Sequence, residues 1–392
     1  MLVMRHGVRS PTQSPEALSK LTPQPWPRWA VAPGFLTDHG REDVRIMGAW
    51  LRAYYGRRGL WAAKGCPSES AVYAWADGED QRTRASGQAV LDGAFPGCGL
   101  VAHHGPDGAG DPLFSATSQG ACPIDLDRAR EAVLARVGGD LNHPAPGYGD
   151  AKAALAKIVM GDSPCTDQNV CVLAGSNDLK PNDDGVKVTG PLAIGSTMAE
   201  NLVLEYAEGM PADAVGWGRA GSGRAIASAV PMHTIETDLM RRTPYLAAHN
   251  GALMTRAVLA GLQGGAALPE PGAGGGKLTL IAGHDTNVSN LAGVLGADWT
   301  LPGQPDKTPP DGALAFEVWK NPMTGARFVR VAMIYQTLED LRASTPLNAA
   351  HPAGRVAVSI PGCADGPKGE CRLETFVSLI GSRLPAECVL KR

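Results

Sequence analysis

The first residues of the chain, MLVM at 1–4, are apolar without a polar break and run straight into Arg5-His6-Gly7. Such a run suits a short strand buried on both faces that feeds a loop. Apolar positions then recur at helical spacing (Val44, Met47, Leu51, Tyr54), predicting a helix over 37–58 that starts after Thr37 or Asp38 as cap. SAVYAWA at 70–76 reads as a second strand, followed by polar DGEDQRTRASG and a helix through 82–94. The Gly, Pro, Asp and Ser content of 103–120 predicts a loop, in which His103 and His104 form a loop pair rather than ligands. From about 125 to 260 the pattern is helical, with segments at 127–137, 150–159, 191–207 and 245–263. A Gly/Ala/Pro-rich linker at 264–276 ends that region. KLTLIAG at 277–283 then returns as a strand, DTNVSNLAGVLG at 285–296 as a helix, and 313–319 with 328–335 as a hairpin. There is no internal repeat. The order predicts an α/β protein: a mixed-sheet α/β sandwich domain built from both chain ends (1–124 and 264–392), with a smaller α-helical domain inserted at 125–263.

Composition narrows the function. The 392 residues are 44% hydrophobic and 19% charged, a soluble globular balance able to bury a sizeable core. With 36 basic against 39 acidic residues, the net charge of −3 argues against a nucleic-acid surface, which needs a basic excess. No apolar run approaches the roughly 18–20 residues of a membrane span. No export signal precedes the first motif, so any such signal is expected to lie outside this chain. The eight cysteines include no CxxC, which weakens a zinc or thioredoxin reading. Their even number suits four disulfides in an oxidising compartment, with about 105 pairings open; eight buried thiols in a cytosolic enzyme is the alternative.

Three segments carry candidate chemistry. MRHGVRSPT at 4–12 sets Arg5, His6 and Arg9 directly after a strand. Forked guanidiniums around an imidazole call for an anion, and phosphate oxygens match their geometry. A basic surface turn with a structural histidine would account for Arg-His alone, but less readily for the whole segment. IAGHDTN at 281–287 delivers His284 at a strand's carboxyl end, with Asp285 opening a helix. Ligands bind at such ends, although Asp285 could serve only as a helix cap. In DQRTRAS at 80–86, Arg82 or Arg84 could point back toward the same strand ends or form a solvated face.

Together RHGVRSPT, QRTR and GHDTN resemble the histidine acid phosphatase family, the branch holding bacterial periplasmic phytases and glucose-1-phosphatases. WPRWAVAPGFLTDHG (26–40), GMPADAVGWG (209–218) and WTLPGQPDKTPPDG (299–312) extend the resemblance over the chain. It implies that His6 attacks phosphorus to form a phosphohistidine, while Asp285 protonates the leaving alcohol. Arg5, Arg9, Arg82 and His284 would hold the phosphate oxygens; Thr12, Gln13, Glu200, His233 and Thr286 would line the substrate site. The substrate is then a small-molecule phosphate ester, with no cofactor or metal, handled by a monomer in the periplasm or outside the cell. The resemblance also implies disulfides Cys66–Cys98, Cys122–Cys388, Cys165–Cys171 and Cys363–Cys371.

Gly7, Thr12 and Thr286 favour the phytase side over the glucose-1-phosphatase side, and phytate is the expected substrate. Gln13 departs from the pattern, since phytases of this type place a lysine there; this puts phytate capture in doubt but not phosphatase chemistry. A broad acid phosphatase or sugar-phosphate phosphatase is the second reading. A cytosolic mutase would not need eight cysteines, and a silent phosphate-binding protein would not need His6 and Asp285. An aspartate at a helix start among arginines is pushed toward ionisation, so the expected activity optimum is acidic.

Overall fold

Alternate residues of the short apolar strands enter different cores, which is why these segments carry almost no polar residues. Val3, Tyr73, Trp75 and Ile281 pack on one side of the sheet; Leu2, Met4, Val72, Ala74, Leu278 and Leu280 pack on the other. The computed structural model describes residues 1–62, 64–68, 70–162, 172–265, 276–366 and 370–389.

The strands are β1 (Leu2–Arg5), β2 (Val72–Ala76), β3 (His103–His104), β4 (Asp178–Asn182), β5 (Gly185–Thr189), β6 (Leu278–Gly283), β7 (Ala313–Lys320), β8 (Arg327–Tyr335), β9 (Gly354–Val358) and β10 (Cys371–Arg372). The helices before the second half of the sheet are α1 (Pro15–Leu18), α2 (Asp38–Gly56), α3 (Gln81–Ala94), α4 (Leu126–Arg136), α5 (Tyr148–Met160), α6 (Pro191–Ala207), α7 (Gly223–Ala229), α8 (Pro231–Arg241), α9 (Pro244–Asn250) and α10 (Ala252–Leu262). Those after it begins are α11 (Asp285–Leu295), α12 (Leu338–Ala343) and α13 (Leu373–Gly381).

The main sheet runs β10-β8-β7-β1-β6-β2-β3, with β9 also paired to β8. β1, β6, β2 and β3 are parallel, and β1 meets β7 antiparallel, so strand direction reverses beside β1. In register, Arg5 lies opposite Gly283 and Ala76 opposite Ala282. The loops that follow β1, β6 and β2 therefore emerge side by side at the carboxyl ends of adjacent strands, the usual place for a ligand in an α/β sheet. α2 and α3 cover one face through Val44, Met47, Leu51, Val90 and Leu91. α10, α11 and α13 cover the other through Val258, Leu291 and Phe376. This is the mixed-sheet α/β sandwich that the sequence predicts.

A separate core joins α4 to α8 through residues such as Leu155, Leu192, Met198, Leu202 and Met232. It also takes in Leu18 and Trp26 from the start of the chain and Leu338 from near its end. The segment 125–263 is not wholly helical: β4 and β5 form a hairpin in which Leu179, Val186 and Val188 are buried. The helix expected over 245–263 is two helices, α9 and α10, separated at Gly251. α10 packs with the sheet rather than with the helical core. His103 and His104, expected in a loop, pair with β2 as a short edge strand.

Among the described residues there are three disulfides, Cys66–Cys98, Cys122–Cys388 and Cys363–Cys371. The Cys165–Cys171 pairing, like most of the 264–276 linker, lies outside the described residues. Among the described residues no helix is long and apolar enough to cross a membrane.

Candidate active site

His6 begins the loop after β1 and is 1% exposed. Its backbone N–H donates to the Gly283 carbonyl (2.9 Å), which ties the β1 loop to the β6 loop. Its Nδ1 lies 2.8 Å from the Gly7 carbonyl oxygen. A carbonyl can only accept, so Nδ1 carries the proton and Nε2 keeps its lone pair. Burial, reinforced by Arg82, Arg5, Arg9 and His284, holds the His6 pKa well below the ordinary histidine value. The ring therefore favours its neutral form, with the Nε2 lone pair available. Gly7 is required by packing: a Cβ there would sit 2.6 Å from Val44 Cγ2 and 2.7 Å from the Gly40 carbonyl, and its N–H donates to Ser86 Oγ (3.0 Å).

The cations around this ring are individually anchored. Arg5, 1% exposed, donates from Nη1 to Asp306 Oδ2 (3.0 Å) and the Thr308 carbonyl (2.6 Å), and from Nη2 to Glu200 Oε1 (2.5 Å). Arg9 reaches the same Glu200 oxygen from Nη2 at 2.9 Å. Arg82, in the first turn of α3, is held by both oxygens of Asp80, each at 2.7 Å. Arg84, the other arginine considered from the sequence, turns away to the Gly78 carbonyl and toward Asp107. His284 Nε2 lies 2.9 Å from Asp77 Oδ2, and its ring centre is 5.7 Å from that of His6.

Asp285 is the first residue of α11, and His284, not Asp285, occupies the cap position. Its carboxylate is thus not consumed in capping. Burial opposes ionisation here, but Arg5, His233, His284 and Arg9 outweigh it and hold the carboxyl below the usual aspartate range. Glu200 is held down in the same way, burial being outweighed by Arg9 and Arg5. Polar atoms of Glu200, His233 and Asp285 lie within 4.8 Å of one another. His233 is buried on α8, with Nδ1 3.1 Å from Ser196 Oγ and, among the described residues, no hydrogen-bond partner at Nε2.

The structure thus brings together Arg5, His6, Arg9, Arg82, Glu200, His233, His284 and Asp285. Thr12 and Gln13 are exposed after the β1 loop; Thr12 Cγ2 comes near Gly34 beside Arg82, whereas Gln13 lines a cleft with Pro15, Glu16 and Arg28. Thr286 is half-buried, next to Asp285 on α11. The sequence reading missed Asp77, Asp80 and Asp306, which hold His284, Arg82 and Arg5. It also missed Glu236, one helical turn after His233 and close enough to Asp285 and Glu200 to feel their charge. Asp77 follows directly on β2, a strand-end position that could have flagged it; Glu236 was recoverable from its i,i+3 spacing to His233.

A neutral buried imidazole ringed by arginines at the carboxyl ends of parallel strands, with an aspartate opening the neighbouring helix, defines a histidine phosphatase. The chain belongs to the histidine phosphatase superfamily, branch 2, whose family profile matches residues 1–145. It is similar to the phytase AppA of Escherichia coli, with 33% identity covering 98% of this chain and 92% of that protein. It also resembles a glucose-1-phosphatase of Salmonella typhimurium, at 27% identity over 97% of this chain and 91% of the relative. The solved structure of Hafnia alvei phytase in complex with myo-inositol hexakis sulphate superposes with a TM-score of 0.92 at 38% identity, covering 100% of this chain and 97% of that one.

Proposed function

We propose that this chain is an acid phosphomonoesterase that hydrolyses phytate, myo-inositol hexakisphosphate, through a phosphohistidine at His6. The observation that carries the reading is the His6 Nδ1–H bond to the Gly7 carbonyl, which leaves Nε2 free among three arginines. Nε2 attacks phosphorus, the P–O ester bond breaks, and Asp285 gives its proton to the departing alcohol oxygen. Arg5, Arg9, Arg82 and His284 stabilise the charge on the equatorial oxygens. Water then attacks the phosphohistidine, with Asp285 taking its proton, and phosphate leaves.

The arginines that keep Asp285 ionised in the free site are the groups a bound phosphate neutralises. Substrate therefore raises the proton affinity of Asp285, and acid pH completes its protonation. Thr12, Gln13, His233 and Thr286 line the substrate entrance, with Glu200 orienting Arg5 and Arg9. No metal or cofactor is needed, since the arginines supply the positive charge. Three disulfides support a periplasmic or secreted location. The enzyme acts as a monomer on small-molecule esters.

A second reading, a broad acid phosphatase for small monoesters, is favoured by one feature: Gln13 on the rim is neutral while Glu200 and Glu236 add carboxyls inside. The experiment is phosphate release from phytate and from p-nitrophenyl phosphate between about pH 3 and 8, in EDTA, for wild type and His6→Ala. Release by the wild type alone, strongest on phytate and at acid pH, is the expected result. Turnover of the small ester without phytate selects the second reading. Loss in EDTA, or activity surviving in His6→Ala, overturns the mechanism.

A further inference from the structure

Beside the backbone of the nucleophile loop lies a second cluster of acids that, among the described residues, has no arginine or lysine ion-pair partner. Asp43, on α2, and Asp311, in the turn before β7, are both fully buried. Gln336 Nε2 bridges them, donating to Asp311 Oδ2 (2.5 Å) and to the Asp43 carbonyl (3.2 Å). The Asp311 backbone N–H donates to the His6 carbonyl (3.0 Å), and the Arg5 N–H donates to the neighbouring Gly312 carbonyl (2.9 Å). The turn that carries Asp311 therefore holds the backbone of both His6 and Arg5.

We propose that Asp43 and Asp311, joined by Gln336, form a proton-holding carboxyl pair that positions His6 from behind and releases it when the pair ionises. The inference rests on the phosphatase reading for its catalytic consequence, but not for its effect on folding.

The hydrogen-bond inventory is the main support. Among the described residues, both side-chain oxygens of Asp43, Oδ1 of Asp311 and Oε1 of Gln336 are buried acceptors without a well-formed hydrogen bond, although the Ser344 hydroxyl faces Asp43 and favours its ionised form. Four such acceptors around ionised carboxylates would be costly; a proton on each carboxyl adds an O–H donor and removes a charge. His39 Nε2, 3.4 Å from Asp43 Oδ2, is closer to the Leu341 carbonyl at 2.7 Å. The other groups facing Asp43 are the Ser344 hydroxyl after α12, Glu208 after α6, and Glu42 on its own helix; Asp340 on α12 faces Asp311. Burial, with Asp311 as a like-charged neighbour, pushes Asp43 up to about 9, and burial pushes Asp311 up to about 8.

In the unfolded chain an aspartate titrates near 4. The pair's advantage to the folded state is therefore complete below about pH 4 and is lost progressively as pH rises toward 8–9. An enzyme working in acid has its nucleophile loop fully braced there.

The test compares wild type with Asp43→Asn, Asp311→Asn, the double variant and Asp311→Gly. Asparagine imitates the neutral carboxyl. Glycine removes the side chain without strain, because Asp311 has φ +55°. Tm is followed from about pH 4 to 9, together with kcat and KM for p-nitrophenyl phosphate, a good leaving group that depends little on Asp285. The expected wild-type Tm falls across this range, and the double variant loses most of that slope. The alkaline limb of kcat moves up by about one pH unit or more in the double variant, with KM little changed. At acid pH Asp311→Asn stays within about threefold of wild type in kcat, while Asp311→Gly loses about tenfold. Equal Tm slopes in wild type and the Asn variants, or an unmoved alkaline limb, would overturn the proposal, as would full kcat in Asp311→Gly. If the double variant does not fold, the single variants decide on the same readings. The Tm series stands on folding alone, so it decides the pair even for a chain that releases no phosphate, a result that would instead sink the functional reading.

Discussion

The two sides of the nucleophile loop bury carboxyls in opposite ways. In front of His6, Asp285 and Glu200 sit among Arg5, Arg9, His233 and His284 and are held ionised. Behind it, among the described residues, Asp43 and Asp311 have no arginine or lysine partner, only His39 3.4 Å from Asp43, and burial raises the pKa of both. Burial acts in the same direction on both pairs; only the charged neighbours differ, and they decide the outcome. The contrast assigns the front to chemistry, where charge must appear and move, and the back to support, where charge would disrupt packing.

Substitutions at the front should dwarf neutral replacements at the back. His6→Ala removes the nucleophile, and kcat should fall by at least about 10⁴-fold while the protein stays folded. Circular dichroism beside single-turnover phosphate release would check this; a milder loss would mean water is attacking directly. Asp285→Asn comes next. Its kcat on phytate should drop about 10²–10³-fold, and the loss on p-nitrophenyl phosphate should be much smaller, because nitrophenolate leaves without a proton. Equal losses on both esters would place Asp285 in orientation rather than proton transfer. In the wild type, phytate turnover should decline as pH rises and Asp285 in the substrate complex ionises.

What the sequence revealed of this contrast was uneven, for a physical reason. The front is spelled out locally: Arg5 ends β1 with His6 and Arg9 in the loop after it, and His284 and Asp285 follow the end of one strand. The alternation of strand residues and the spacing along α2 and α11 were also local, so the sheet and its helices could be read. The back is assembled from residues far apart in the chain, Asp43 with Asp311 and Gln336. No spacing marks a buried acid until packing removes its water. β4 and β5 were hidden differently. Their apolar residues alternate on either side of an Asn-Asp-Asp-Gly turn, but a short hairpin inside a long helical stretch is easily absorbed by its neighbours. Gly251 divides an otherwise continuous apolar helix pattern, and only the fold shows that its two halves serve different cores.

Anchors of the arginines should give intermediate effects. Asp306 is 2% exposed and accepts from Arg5 Nη1. Asp306→Asn keeps the shape but weakens a charge-assisted bond, so kcat/KM should fall about tenfold. Because the guanidinium retains Glu200 and the Thr308 carbonyl, it should not be lost from the site. Inhibition by inorganic phosphate, measured in parallel, should weaken with it; unchanged phosphate binding would place the role of Asp306 outside the oxyanion pocket.

The smallest effect tests whether the front is as uniform as its arginines suggest. Glu236 faces the same pocket, yet its pKa moves the other way from that of Glu200: burial raises it, Asp285 and Glu200 add to the rise, and Arg241 and His233 only partly oppose it. At low pH it is neutral and should not disturb a polyanion; as pH rises through its raised value it becomes a negative charge beside the substrate. Glu236→Gln should therefore match wild type at the acid end and show a KM for phytate about two- to threefold lower once pH exceeds the raised pKa of Glu236, where a partly screened charge contributes on the order of 1 kcal/mol or less. p-Nitrophenyl phosphate, which carries one phosphate, should show a smaller gap. A KM difference that is flat with pH would mean that Glu236 acts through shape, and the front would then contain a carboxyl that, like the pair behind His6 at acid pH, plays its part without charge.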